Sequence, residues 1–407
     1  MPIRWDGYYG WVISVACFLS ATVVYGLTYS FGVFFTPLLR AFQVGPGTLS
    51  LAFGLQTFVL YVGAVGAGGL IDSLGSQRAG VIGAILTAVG LCGTALSGSF
   101  LVLLWWYGIV TGMGLSVTYV LAYATVPRWF GVHRGMANGI ASSGLGIGLL
   151  VVAPASSTLI STMGWRHTYF VLAGAVVVVL GGAVWLFEDS PEAIGADLEQ
   201  EFPDGRAATT SGTLRDRFGQ VQDTVQSRRF ASLVVGWAAA YAGLYVIMNH
   251  IVRYTAHIGL QATAGVLTIS IIGVTTSIAR VGIGAASDRI GRERVFLAST
   301  ALMAVTTGSL SLVGSTWELW AIAVAFGIGY GGAGALLSPL LADLFGAENL
   351  GTVYGIASIS FAVAGLTAPP LAGIGYGVFG GYGIVFLATG VVGLIGTALI
   401  WGAGATA

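Results

Sequence analysis

Twelve apolar runs, each long enough to cross a bilayer, leave this chain little choice of fold. They cover residues 9–36, 47–71, 79–98, 100–126, 135–163, 167–187, 230–256, 263–286, 295–314, 317–342, 351–376 and 381–402. Lipid offers the backbone no hydrogen-bond partner, so a spanning segment is a helix or a strand of a closed barrel. Barrel strands need only about ten residues, whereas a helix of about twenty residues matches the ~30 Å hydrocarbon core. An all-α membrane protein of twelve transmembrane helices is expected. Composition agrees, with 56% hydrophobic and 8% charged residues and a mean hydropathy of +0.88.

Charge placement orients the helices. The chain has no Lys, so Arg alone carries the positive-inside signal. With both termini cytoplasmic, the inner side holds Arg4, Arg78, Arg128, Arg134, Arg289, Arg292 and Arg294, besides the arginines of the central loop. The outer side holds only Arg40, Arg166 and Arg253. The opening MPIRWDGYYGW has no cleavable-signal pattern, and the first run is expected to remain as a helix. The longest polar interval divides the chain into an N-terminal six-helix bundle (1–187), a linker (188–229) and a C-terminal six-helix bundle (230–407). Within the linker, Leu214, Phe218, Val221 and Val225 follow helical spacing and predict an amphipathic helix on the membrane surface or the bundle ends.

The halves repeat. Gly68, Asp72, Gly75 and Arg78 reappear as Gly284, Asp288, Gly291 and Arg294, each shifted by 216 positions. Gly112 opens GMG and Gly327 opens GIG, shifted by 215, and GIAS occurs at Gly139 and again at Gly355. Parallel repeats related by an axis along the membrane normal follow. Close glycine spacings such as Gly144 and Gly148 predict tight helix packing.

One cation does not fit a membrane edge. Arg280 lies eight residues before Asp288, so about 12 Å deep along a helix. A charge there costs roughly 2.5 kcal/mol or more unless it faces a wet cavity or a partner. Its neighbours at helical spacing, Thr276 and Gly284, carry no negative charge, and the acids fall in loops or at helix ends. An anionic ligand is the expected partner. The alternative is a structural cation bonded to backbone carbonyls or between helices.

These residues carry a family pattern. GAASDRIGRER at Gly284 and its copy GGLIDSLGSQR at Gly68 resemble the loop motif of the major facilitator superfamily. DGYYGW at Asp6 and RWFGVHRGMANGIASSG at Arg128 resemble two signatures of the monocarboxylate transporters and the related oxalate/formate antiporters. The resemblance spans the chain and implies the major facilitator fold, a carboxylate-binding Arg280, and transport of short monocarboxylates by alternating access. A bacterial inner-membrane location fits the compact loops. There are departures. Thr276 stands where animal members have an acid, Tyr29 stands where they have a first-helix lysine, and no Arg or Lys follows Arg294. A dicarboxylate would therefore lack a second clamp.

Other candidates surround this cation. His250, next to Asn249 on run seven, is the mid-helix group whose ordinary range suits a transported proton. It also suits a hydrogen bond to substrate, or plain interhelical bonding. Tyr119 and Tyr330 offer a hydroxyl with an apolar wall, or only packing. Thr28, Tyr29, Leu145 and Phe361 fall at matching depths and are expected to line the pocket. Asp72, Arg78, Asp288, Arg289, Arg292 and Arg294 are expected in cytoplasmic turns, as topology determinants or as a gate that pairs when that side is shut. Cys17 and Cys92 read as small buried hydrophobes.

The chain lacks HExxH, intramembrane carboxylate pairs, a Ser/His/Asp arrangement and a Walker A pattern. An enzyme or ATP-driven pump is thus not expected, and no cofactor, metal, nucleic acid or obligate protein partner is implied. The expected function is secondary transport of a small monocarboxylate such as lactate or pyruvate, coupled to a proton. The alternative is a carboxylate exchanger without proton coupling.

Overall fold

The computed structural model describes residues 9–130, 133–189, 221–345 and 350–405. Among them the chain is helical and forms twelve spans. These are α1 (Gly10–Phe42), α2 (Pro46–Leu74), α3 (Ser76–Ala95), α4 (Phe100–Ala124), α5 (134–163), α6 (165–186), α7 (Arg228–His257), α8 (Ala262–Ile290), α9 (Arg292–Ser309), α10 (Thr316–Phe345), α11 (Thr352–Phe379) and α12 (Gly383–Ala405). The sequence-predicted limits differ from these mainly at the ends, where helices extend past the apolar core.

The stretch Arg134–Leu186 is helical over 53 residues, roughly 80 Å if straight, and no single crossing needs that length. Gly164 breaks it with φ 79° and ψ 165°, a backbone region that suits glycine. Packing against α1 shows the reversal. Gly144 meets Phe18, Gly148 meets Thr22, and Val152 meets Gly26, all in parallel order. Beyond Gly164 the order inverts, with Trp165 against Phe42 and Tyr169 against Phe34.

Two six-helix bundles meet along three seams: α1 with α7, α2 with α11, and α5 with α8. Each seam is tight at one end only. Gly32 abuts the Met248 carbonyl, Gly54 abuts the backbone of Gly365 and Leu366, and Gly146 abuts Gly273 and Ser277. Ser270 donates to the Leu149 carbonyl at 3.4 Å. Towards the arginine-rich turns the seams part. A Cβ added at Gly68 or Gly69 on α2, at Gly139 on α5 or at Gly355 on α11 would meet nothing within 4 Å. The space between the bundles therefore widens towards the arginine-rich side.

Of the predicted linker helix, Leu214 and Phe218 lie outside the described residues. Val221 and Val225 lie in or beside a helical stretch at 221–226, with Val221 buried. Cys17 is buried and Cys92 half-buried, neither in a disulfide.

Candidate functional site

Arg280 sits on α8 where the seams open, half-buried, about ten residues from the arginine-rich end. The α8–α10 crossing places it. Gly331 lets the α10 backbone approach Thr276 and Arg280, and Thr276 Oγ1 donates to the Gly327 carbonyl at 3.2 Å. The guanidinium lies beside Gly334 on one side and 5.8 Å from the Tyr330 ring centroid on the other. Tyr25, Tyr123, Tyr241 and Tyr330 lie around it. Among the described residues it has no ion-pair partner, and its buried Nε has no hydrogen bond.

The wall around it is aromatic and comes from both bundles. Tyr61 (α2) contacts Tyr119 (α4) at 5.4 Å and Phe361 (α11) at 5.5 Å between centroids. Tyr119 contacts Tyr123 at 5.1 Å, and Tyr123 meets Tyr25 edge-on. In the second bundle Phe361 contacts Tyr241 at 5.0 Å, and Tyr241 meets Tyr330 edge-on. Tyr29 packs on Tyr25 and interacts with Tyr330 across the cavity. The hydroxyls of Tyr123 and Tyr241 are buried without a hydrogen-bond partner. One deep cation, a ring of phenols and orphaned hydroxyls make a chamber for a small anion with an apolar body.

The structure thus brings together Arg280, Tyr119, Tyr330, Tyr29 and Phe361. Leu145 is fully buried on α5, next to the Gly146 contact with Ser277. Thr28 is buried and accepts from Gln56 Nε2 at 3.1 Å. Tyr25, Tyr61, Tyr123, Tyr241, Tyr245 and Tyr354 were not among the predicted residues. A signal for several of them is present. Tyr25 and Tyr29 are spaced i, i+4 on α1, and Tyr241 and Tyr245 repeat them 216 positions later on α7. Tyr119 and Tyr123 form a third such pair.

His250 and Asn249 lie elsewhere. His250 is 22 residues into α7, roughly 33 Å from its start, and so nearer the tight end of the seams than Arg280. It is fully buried. Its Nδ1 lies 3.0 Å from the Tyr382 hydroxyl, and its Nε2 lies 2.9 Å from the Pro369 carbonyl and 3.2 Å from Ser50 Oγ. Ser50 Oγ donates to Asn249 Oδ1 at 2.9 Å, while Asn249 Nδ2 is buried without a partner. Phe35 meets the imidazole edge-on, with Phe31 and Phe53 beyond it. This plug joins α1, α2, α7, α11 and the turn before α12. In this conformation the interhelical reading of His250 is the one its contacts match.

At the opposite end, Arg128 pairs with Asp72 at 2.7 Å and Arg292 with Asp343 at 3.2 Å, each pair inside one bundle. Arg78, Arg289 and Arg294 are exposed, and the Asp288 side chain lies outside the described residues. Glu318 Oε2 accepts from the Gly314 and Ser315 N–H groups, which caps α10.

Two six-helix bundles thus meet around one deep cation and a ring of aromatic residues. The profile of the Major Facilitator Superfamily matches residues 17–285 and, overlapping them, 233–404. The chain belongs to that superfamily. It is similar to monocarboxylate transporter 2 of Mus musculus, 25% identical over 98% of this chain and 85% of the relative. It is also similar to monocarboxylate transporter 3 of Rattus norvegicus, 28% identical over 95% and 78%. Among solved structures it resembles a bacterial homologue of the human lysosomal transporter Spinster, inward-facing and unoccupied. That likeness has a TM-score of 0.79 at 14% identity and covers 99% of this chain and 98% of that one.

Proposed function

We propose that this protein is a secondary transporter that moves small monocarboxylates, lactate- or pyruvate-like, together with a proton by alternating access. The observation that carries the reading is Arg280: a half-buried guanidinium without a carboxylate partner among the described residues, at the centre of an aromatic chamber. A carboxylate there accepts two parallel charge-assisted hydrogen bonds, and the surrounding phenols supply further donors. The names of the relatives support the substrate class. The substrate carboxylate neutralises Arg280, which lowers the cost of sealing the site away from water, and the proton is carried apart from this pair. An empty, charged chamber resists closure, and that resistance ties closure to carboxylate occupancy.

In this reading the arginine-rich side is cytoplasmic, both termini lie there, and the protein resides in a bacterial inner membrane. The chamber then faces inward, with the His250 plug as the closed outer gate. His250 is released from Tyr382 and Pro369 when the plug opens and is then free to take a proton. Asp72, Arg78, Asp288, Arg289, Arg292 and Arg294 form the cytoplasmic gate. The two bundles, 1–187 and 230–407, rock about the chamber with 188–229 as linker.

One observation favours exchange instead: no side chain that titrates near neutral pH contacts Arg280 among the described residues. Uptake of labelled lactate into liposomes, with and without an inward proton gradient, separates the two. Gradient-driven accumulation abolished by a protonophore establishes symport. Stimulation only by preloaded carboxylate establishes exchange. Accumulation of lactate by Arg280→Gln at the wild-type rate would sink the site assignment.

A further inference from the structure

The internal repeat pairs positions 63, 64, 116 and 119 with positions 279, 280, 331 and 334, by offsets of 216 and 215. The contacts obey this pairing. A Cβ added at Gly63 on α2 would lie 2.9 Å from Ser116 Oγ on α4, and one added at Gly331 on α10 would lie 2.7 Å from the Ala279 Cβ on α8. The same helix crossing is built twice. At the adjoining positions the side-chain sizes are exchanged. The first bundle has Ala64 on α2 and Tyr119 on α4, whereas the second has Arg280 on α8 and Gly334 on α10. The large group projects from one helix in one bundle and from the other helix in the next. The chamber thus receives a phenol from one side and a cation from the other.

We infer that Gly334 is the positioning residue of the transport site: the bare α10 backbone at this point is the bed on which the Arg280 guanidinium rests. It thereby sets how deep in the chamber a carboxylate is held. This rests on the reading that Arg280 binds the substrate carboxylate. A Cβ added at Gly334 would lie 2.8 Å from Arg280 Nη2, 3.2 Å from Cζ and 3.3 Å from Nε. Parting the helices to relieve this would give up the close packing of Gly331, one turn earlier, on the Thr276 carbonyl and the Arg280 backbone nitrogen, whereas the side chain can simply move. The obstructing atoms are the free end of a long side chain. An added methyl therefore leaves the fold intact and pushes the guanidinium about 1 Å into the chamber, to ordinary contact distance. A carboxylate held by it moves by the same amount, and the space left for the rest of the acid shrinks.

The test is Gly334→Ala in liposomes, compared with wild type for lactate and for the smaller glycolate. Lactate KM is expected to rise at least tenfold and glycolate KM by clearly less, with maximal rate and melting temperature close to wild type. Gly282→Ala, where an added Cβ meets nothing within 4 Å, should leave both KM values unchanged. A folded Gly334→Ala variant with wild-type KM for both acids overturns the proposal. So does an equal rise for both, or a variant that does not fold, since the obstacle would then be the backbone. Arg280→Gln, run alongside, separates this failure from that of the underlying reading. If Arg280→Gln abolishes uptake while Gly334→Ala changes nothing, only the positioning role falls. If Arg280→Gln keeps the wild-type lactate KM, carboxylate binding by Arg280 falls first.

Discussion

Arg280 holds its charge in the membrane region with aromatic faces and phenol groups in place of a counter-ion. A ring 5.8 Å away gives a cation about 0.5–2 kcal/mol without neutralising it, so the group stays available to an anion. Lysine keeps the charge but not the planar fork. Arg280→Lys is expected to retain uptake with a lactate KM raised about tenfold to a hundredfold, matching the loss of one charge-assisted bond. The orphaned hydroxyls allow a sharper prediction. Tyr241 is buried with its hydroxyl unpartnered, so Tyr241→Phe removes an unsatisfied group and should stabilise the empty protein by about 1 kcal/mol. A melting curve without substrate should shift upwards, while substrate should raise the melting temperature less than it does in wild type. Arg280 was legible from sequence because a lone deep cation stands out from apolar neighbours. The tyrosines were not, because a tyrosine in a helix serves packing as readily as a site. Only the repeated i, i+4 pairs distinguish them.

At the scale of helices, length and apolarity made all twelve spans plain, including the two that Gly164 separates within one continuous helical stretch. What periodicity could not tell was which residues of different helices share a layer. His250 and Arg280 both read as mid-helix, yet their distances from the arginine-rich ends of α7 and α8, roughly 33 Å and 15 Å, put them in different layers. The plug around His250 is a compact polar cross-link among five segments. Ser50→Ala leaves Asn249 Oδ1 without its donor in a fully buried setting, a cost of about 1–3 kcal/mol to this conformation alone. The population should therefore shift towards the alternative conformation by about tenfold. Spin labels at the exposed ends Arg40 and Gln261 should report a longer distance in the variant. An unchanged distance distribution would show that the plug does not hold the seam.

For the molecule as a whole, three backbone-close seams fix where the bundles touch. Gly146 faces the Gly273 carbonyl at 2.5 Å from an ideal Cβ, so Gly146→Val must force α5 from α8. Transport is expected to fall at least tenfold in that variant, measured as initial uptake at matched expression. The exposed pair of Asp72 and Arg128, in contrast, is worth about 0–1 kcal/mol, and Asp72→Asn should leave the melting temperature within a few degrees of wild type. One further consequence lies in the turn at Gly164. A single residue joins α5 to α6, and Arg166 just beyond it clasps the carbonyls of Ala95 and Ser97 while its guanidinium lies 4.3 Å over Trp165. Three helix ends, those of α3, α5 and α6, are buckled together there with no spare chain between α5 and α6. Any swing of α5 is handed at once to α3 and α6, so these three helices behave as a lever arm rather than as separate rods.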